Sequence, residues 1–280
     1  MKKIETLVKD IYSAIDKGFS PTSEAMEDFL DSVSHAITKQ FSSEQRKDRN
    51  TLRMSNLGRP ECQLWYEVNG SPREQITPDT RIKFLFGDLI EALLIFLVKE
   101  AGHEVTHEQA EVQVDGIVGH TDCKIDSIPV DIKSASSYAF KKFKDGTLAD
   151  DDPFGYLAQI SAYAHAEGST KGGFLAMDKQ RGSITYMPVD EMDMINVPKR
   201  IKHLKEIVKS KTPPKRCFKS KADGKSGNMK LDVNCSYCSF KDTCWSDAND
   251  GDGLRLFLYS NGPRWLTHVE REPDVYEVTG

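Results

Sequence analysis

Six polar side chains stand out by type and spacing: Glu91 in Gly87-Asp-Leu-Ile-Glu91, Asp122 in Gly119-His-Thr-Asp122, Asp131 and Lys133 in Asp131-Ile-Lys133, and Gln159 and Tyr163 in Gln159-Ile-Ser-Ala-Tyr163. Side chains on a strand alternate between its two faces. Asp131 and Lys133 therefore share one face, and Ile132 points the other way into the core. A turn at Asp126-Ser127 would fold this strand back on residues 116–125 and bring Asp122 close to Asp131. Two carboxylates held together repel unless a cation lies between them. Oxygen ligands of this kind suit Mg²⁺ or Mn²⁺. A polar hairpin with solvated acids and a surface lysine is the simpler alternative.

Three elements must position these groups. Residues 116–133 read as two strands, with His120, Asp122, Lys124 and Asp126 on one face of the first. Residues 79–101 form a helix that is apolar almost all round, which predicts a buried helix. Glu91 sits in its middle, and a buried carboxylate needs a partner or a metal. Gly87 lies one turn earlier on the same face, leaving room for something to approach. The competing reading places Glu91 on a narrow exposed stripe with Asp88 and Lys99. Residues 154–167 form a second helix with Gln159 and Tyr163 at i and i+4. A glutamine and a phenol on one face could hydrogen-bond a phosphate backbone.

In this order and spacing the four patches resemble the PD-(D/E)XK nuclease superfamily, in its RecB-like branch. The first motif carries Glu91 in place of histidine, as in phage lambda-type exonucleases, and Thr121 stands before Asp122. The resemblance implies an α/β core with a central mixed sheet flanked by helices, and phosphodiester hydrolysis with Mg²⁺ or Mn²⁺. It implies that Glu91, Asp122, Asp131 and the main-chain carbonyl of Ile132 bind metal. It further implies that Lys133 orients or activates the attacking water and offsets charge, and that Gln159 and Tyr163 position DNA.

Six cysteines occur, at 62, 123, 217, 235, 238 and 244. No secretory signal is visible, and the longest apolar run holds Asp88 and Glu91 and is too short to span a membrane easily. A cytoplasmic protein is expected, whether cellular or viral, and there clustered cysteines suggest metal. Cys235, Cys238 and Cys244 form C-x2-C-x5-C and need a fourth ligand, with Cys62 the best candidate and Cys217 a possible substitute. One cysteine upstream of the motifs and three downstream is similar to the iron-sulfur RecB-like nucleases, including CRISPR-adaptation and AddB-type proteins. By that resemblance Cys62, Cys235, Cys238 and Cys244 would hold a 4Fe-4S cluster that joins helical N- and C-terminal segments. Zn²⁺ is the rival. Cys123 should face the core as a small apolar residue.

The 280 residues carry a formal net charge of −5, mildly adverse for DNA binding, yet residues 199–230 carry twelve Lys and Arg against only Glu206 and Asp223. That run reads as a phosphate-tracking surface built from a helix over 197–210 and a Pro-, Gly- and Lys-rich loop. A single domain is expected, with a helical segment over 1–78, a nuclease core over 79–190, the basic and cysteine-rich segment over 191–245, and a hairpin tail over 246–280. The hairpin signal is Asn261-Gly262. No nucleotide-binding Gly-x-x-x-x-Gly-Lys-Ser/Thr motif occurs, so any helicase would be a partner. Expected partners are DNA single strands or duplex ends, and no membrane. The function expected is a DNA exonuclease in recombination, repair or phage DNA processing. Spacer processing in CRISPR adaptation and a non-catalytic DNA-binding module with a lapsed site are the alternatives.

Overall fold

The computed structural model describes residues 2–42 and 50–278. Its helices are α1 (Leu7–Lys17), α2 (Ser23–Phe41), α3 (Glu61–Val68), α4 (Pro78–Glu100), α5 (Ser137–Asp145), α6 (Tyr156–Ala166), α7 (Val197–Lys209), α8 (Val233–Ser236) and α9 (Lys241–Cys244). Its strands are β1 (Val105–Thr106), β2 (Glu111–Val114), β3 (Ile117–His120), β4 (Cys123–Ile125), β5 (Ile128–Ala135), β6 (Lys171–Asp178), β7 (Ile184–Asp190), β8 (Lys221–Ala222), β9 (Met229–Lys230), β10 (Arg255–Tyr259), β11 (Gly262–His268) and β12 (Tyr276–Val278). The chain divides into two compact units. One holds residues 1–48, 52–58 and 76–203, and the other holds 49–51, 59–75 and 204–280. Each therefore draws on discontinuous segments.

The first unit is mixed α/β. Its central sheet runs β1-β4-β5-β6-β7, with β5 and β6 parallel and the other pairs antiparallel. Val130 and Ile132 of β5 pack with Leu7 and Ile11 of α1 and Leu94 and Val98 of α4. Ala135 packs on the opposite face with Phe140 and Phe143 of α5 and Ile160 of α6. The two-residue alternation thus places Asp131 and Lys133 on the α5/α6 face.

Local chemistry explains the element ends. Asp126 and Ser127 both have left-handed φ, 49° and 70°, as the tight turn between antiparallel β4 and β5 demands. Thr22 caps α2 by accepting from Ala25 N at 3.1 Å, and Thr77 caps α4 ahead of Pro78 at its first turn.

Two expectations need correction. α4 is not buried all round. Ala92, Leu94 and Val98 are buried, but Ile82, Phe84, Phe86 and Leu93 are each more than one-third exposed. The strand leading to Asp122 is also not continuous. β3 pairs with β2 in a separate two-stranded sheet, and the strand is interrupted at Thr121-Asp122 before β4 joins the main sheet. The alternation of burial still crosses the break, since Thr121, Cys123 and Ile125 are buried while Asp122, Lys124 and Asp126 are less deeply covered.

The second unit carries an antiparallel sheet in the order β12-β10-β11-β9-β8. Leu231, Trp245 and Ala248 form its small core, with Cys235, Cys244 and Trp265 packed against them. The tail hairpin is present, but Tyr259 pairs with Gly262, so the turn is Ser260-Asn261, one residue earlier than expected. Among the described residues no helix is long and apolar enough to cross a membrane.

Candidate active site

In the first unit, the register between β4 and β5 pairs Cys123 with Val130, and one step further it sets Asp122 opposite Asp131. Asp122 Oδ2 accepts the backbone N–H of Ile132 at 2.7 Å, across the gap where the strand pairing has ended. Gly119 explains its own place in the motif, since a Cβ there would lie 2.7 Å from the Met54 Cβ. Cys123 is fully buried, as expected.

Asp131 is completely buried, and its Oδ1 accepts no hydrogen bond. Lys133, on the same face, forms an ion pair with it through Oδ2. The Lys133 ammonium also lies 4.7 Å from the centroid of the Tyr156 ring. From α4, Glu91 is half-buried, and its Oε1 accepts from Gln109 Nε2 at 2.6 Å. Gly87, one turn earlier, has open space where a side chain would stand. On α6, Gln159 Nε2 donates to the Tyr163 hydroxyl at 3.1 Å. Tyr163 itself is buried at 3% exposure, so Gln159 is the more accessible of the two.

The electrostatics are those of an acidic cluster short of positive charge. Burial pushes Asp122 well above the usual carboxylate range, and the charges of Asp131 and Glu91 push it further. Burial also raises Glu91, against the pull of Lys39 and the Gln109 hydrogen bond. Asp131 is raised by burial in spite of Lys133. Burial alone would lower the Lys133 ammonium, but Asp131 and Asp122 hold it above its ordinary value. Both partners of this pair therefore move upward: burial outweighs the partner for the acid, and two carboxylates outweigh burial for the base. Lys133 stays protonated.

Gln109 is a residue of the candidate site that sequence patterning missed. It lies outside any periodic segment, in the link between β1 and β2, with a left-handed φ of 51°. Its N–H donates to the Asp122 main-chain oxygen at 3.1 Å while its side chain holds Glu91.

These residues suit a hard divalent cation. The buried Asp131 oxygen has no donor, and the Asp131 charge raises the proton affinity of Asp122 and Glu91 beside it. Among the described residues no three His, Cys, Asp or Glu side chains converge as a closed ligand set. Mg²⁺ does not require one, since it keeps several waters and binds through one or two carboxylates.

In the second unit, Cys62, Cys217, Cys235, Cys238 and Cys244 line one small cavity with Arg216, Lys241 and Trp245. The Cys62 and Cys217 sulfurs lie 2.9 Å apart. Cys217 thus joins the four thiols that the sequence pattern singles out. Its thiol is pulled down to about 6, chiefly by the hydrogen bond with Cys62, and Cys244 to about 7, again chiefly by Cys62. Cys62 is driven strongly the other way by the same contacts. Of the basic run, Arg200 donates to the Leu57 carbonyl, Arg216 to the Cys244 carbonyl, and Lys221 and Lys230 pair with Asp232 and Asp223. At least these four cations serve the fold as well as the surface.

No protein-family profile matches the chain, and no curated protein matches it. Among solved structures it is similar to SSO0001, at 17% identity and a TM-score of 0.45 over 75% of this chain and 93% of that one. It is also similar to the alkaline exonuclease LHK-Exo from Laribacter hongkongensis, at 13% identity and a TM-score of 0.36 over 65% of this chain and 94% of that one. LHK-Exo in complex with dAMP gives a TM-score of 0.37 at the same identity and coverage.

Proposed function

We propose that the chain is a DNA nuclease that hydrolyses phosphodiester bonds with Mg²⁺ or Mn²⁺, at DNA ends or on single strands. The observation that carries this reading is Asp131: a fully buried carboxylate oxygen without a donor, beside two more carboxylates with raised proton affinity and a protonated lysine. Glu91, Asp122, Asp131 and the main-chain carbonyl of Ile132 would hold the ion. Bound there, the ion would polarise a phosphoryl oxygen and lower the pKa of its water. Lys133, ion-paired with Asp131, would orient or activate the attacking water and offset the negative charge that develops on the phosphoryl group. Gln159, half-exposed and hydrogen-bonded to Tyr163, would hydrogen-bond the DNA backbone.

The order of the motifs supports a PD-(D/E)XK nuclease of the RecB-like type working in recombination, repair or phage DNA processing. Spacer processing in CRISPR adaptation uses the same chemistry. A DNA-binding module with a lapsed site is the reading less favoured, because it has no need of Glu91, Asp122, Asp131 and Lys133 together.

For the cysteines we propose a 4Fe-4S cluster on Cys62, Cys235, Cys238 and Cys244. What supports this reading is the resemblance of the cysteine pattern to the iron-sulfur RecB-like nucleases, together with the shared cavity that the thiols line. Four thiolates also suit Zn²⁺, which stands as the rival.

The test is degradation of end-labelled single-stranded and blunt duplex DNA by the full chain with Mg²⁺, Mn²⁺ or EDTA. Metal-dependent release of nucleotides that Asp131→Ala abolishes supports the reading. Cleavage of both substrates by Asp131→Ala at the parent rate would overturn it.

A further inference from the structure

We propose that Phe154 and Tyr156 form a stacking platform for an unpaired nucleobase beside Lys133, so that DNA enters the site as a single strand or a frayed end. This rests on the nuclease reading and names its substrate. The two rings are offset-stacked, with centroids 5.5 Å apart and planes at 26°. Tyr156 is the inner ring. It lies under the Lys133 ammonium and is backed by the buried Phe143 and Phe174, with centroids at 6.1 and 6.4 Å. Phe154 is the outer ring, at 39% exposure. The row of rings runs from buried Phe143 and Phe174 through Tyr156, over which the Lys133 ammonium lies, to the partly exposed Phe154.

A lone exposed phenylalanine is ordinary. This one is presented by a locked turn. Gly155, between the two aromatics, has a left-handed φ of 73°, and a Cβ there would lie 2.3 Å from the Gly58 Cα. Asp152 accepts from the N–H groups of Tyr156 and Leu157, both at 2.9 Å. Lys142 ties the preceding Asp151 to α5, donating to its carbonyl at 2.9 Å. A rigid aromatic surface has little ordering entropy left to lose when it binds. An aromatic face next to a phosphate-directed cation fits a nucleotide, whose base and phosphate are joined at a short fixed span. Stacking accepts any base, as an enzyme that consumes a strand requires. In a blunt duplex the terminal base is already paired and stacked on its neighbour, and it must first leave that stack to use this platform.

The test is a two-by-two cycle of binding constants, with Ca²⁺ in place of Mg²⁺ and fluorescein-labelled single strands. One axis is the parent against Phe154→Ala. The other is an intact strand against strands with an abasic site at the 5′ or the 3′ terminal nucleotide. Loss of a base–aromatic stack should weaken binding roughly five- to hundredfold. The parent should lose that factor on one of the abasic strands, Phe154→Ala should lose it on the intact strand, and the two losses together should not multiply. Phe154→Tyr should bind like the parent, and blunt-duplex binding should be the same in all three proteins. Losses that multiply, or no loss at either terminus, would overturn the platform. Cleavage by the parent with Mg²⁺ is read separately. Cleavage without coupling refutes the platform and leaves the nuclease reading standing, while coupling without cleavage does the reverse. Thermal melting of Phe154→Ala confirms that the fold is retained.

Discussion

The Asp122 carboxylate accepts the backbone N–H of Ile132, the residue between Asp131 and Lys133. One acid of the cluster thus fixes the strand that carries the other acid and the lysine. It does so where β4 has ended and no main-chain pairing remains. Asp122 therefore has two duties of opposite sign. Its hydrogen bond stabilises the metal-free fold, and its charge destabilises it through Asp131 and Glu91.

Two substitutions separate these duties. Asp122→Asn keeps an oxygen for Ile132 and removes the charge, so the metal-free protein should melt at or above the parent temperature at neutral pH. Asp122→Ala removes both, and a hydrogen bond to a charged group contributes about 1.5–3 kcal/mol. It should therefore melt several degrees below Asp122→Asn. Both variants should lose metal-dependent cleavage. Calorimetric melts in EDTA decide the matter, and equal melting temperatures for the two variants would contradict the account of Asp122.

The raised proton affinities set a pH dependence. An acid whose folded pKa lies above its unfolded value binds more protons when folded. Stability therefore falls as pH rises from the ordinary carboxylate range through the raised values. Glu91, Asp122 and Asp131 all contribute in this sense. A divalent cation must displace those protons at low pH and relieves repulsion at high pH. The rise in melting temperature on adding Mg²⁺ or Mn²⁺ should grow steadily from pH 5 to pH 8. A rise that is the same across that range would mean that these carboxylates do not hold the ion.

How much of this was legible in the sequence follows from which forces are periodic. Asp131, Ile132 and Lys133 were legible because a strand repeats every two residues, and Asp122 because the Asp126-Ser127 turn fixes the register that faces it to Asp131. The exposure of α4 was not. Composition gives how apolar a helix is but not how much sheet there is to cover it, and the sheet-side core takes only the C-terminal half, from Ile90 to Ala101. Gln109 was invisible for another reason. It acts through a left-handed backbone and two hydrogen bonds to residues 13 and 18 positions away, and neither leaves a repeating trace. Cys217 stands outside the C-x2-C-x5-C spacing and reaches the other thiols only through the fold of the second unit.

Gln109→Ala should weaken metal binding without unfolding the protein. The side chain is exposed, so its removal leaves no core cavity, and alanine inherits the same left-handed φ that glutamine already bears. Groups that orient a metal ligand typically contribute 10- to 100-fold in affinity or activity. Titration of Mn²⁺ by calorimetry should show a loss of about that size, with the metal-free melting temperature close to that of the parent. Unchanged Mn²⁺ affinity would make the Glu91 contact incidental.

The last prediction separates Cys62 from its neighbour Cys217. The two sulfurs touch, 2.9 Å apart. By proximity alone either could complete a four-thiol set with Cys235, Cys238 and Cys244. Cys217 is exposed, whereas Cys62 is half-buried on α3. A ligand that helps close a structural metal site should be the more buried of the two. Anaerobically purified Cys217→Ser should therefore keep the iron, the acid-labile sulfide and the visible absorbance of a cluster, and Cys62→Ser should lose all three. If Cys217→Ser is colourless and Cys62→Ser is not, Cys217 is the fourth ligand and the upstream cysteine is a bystander.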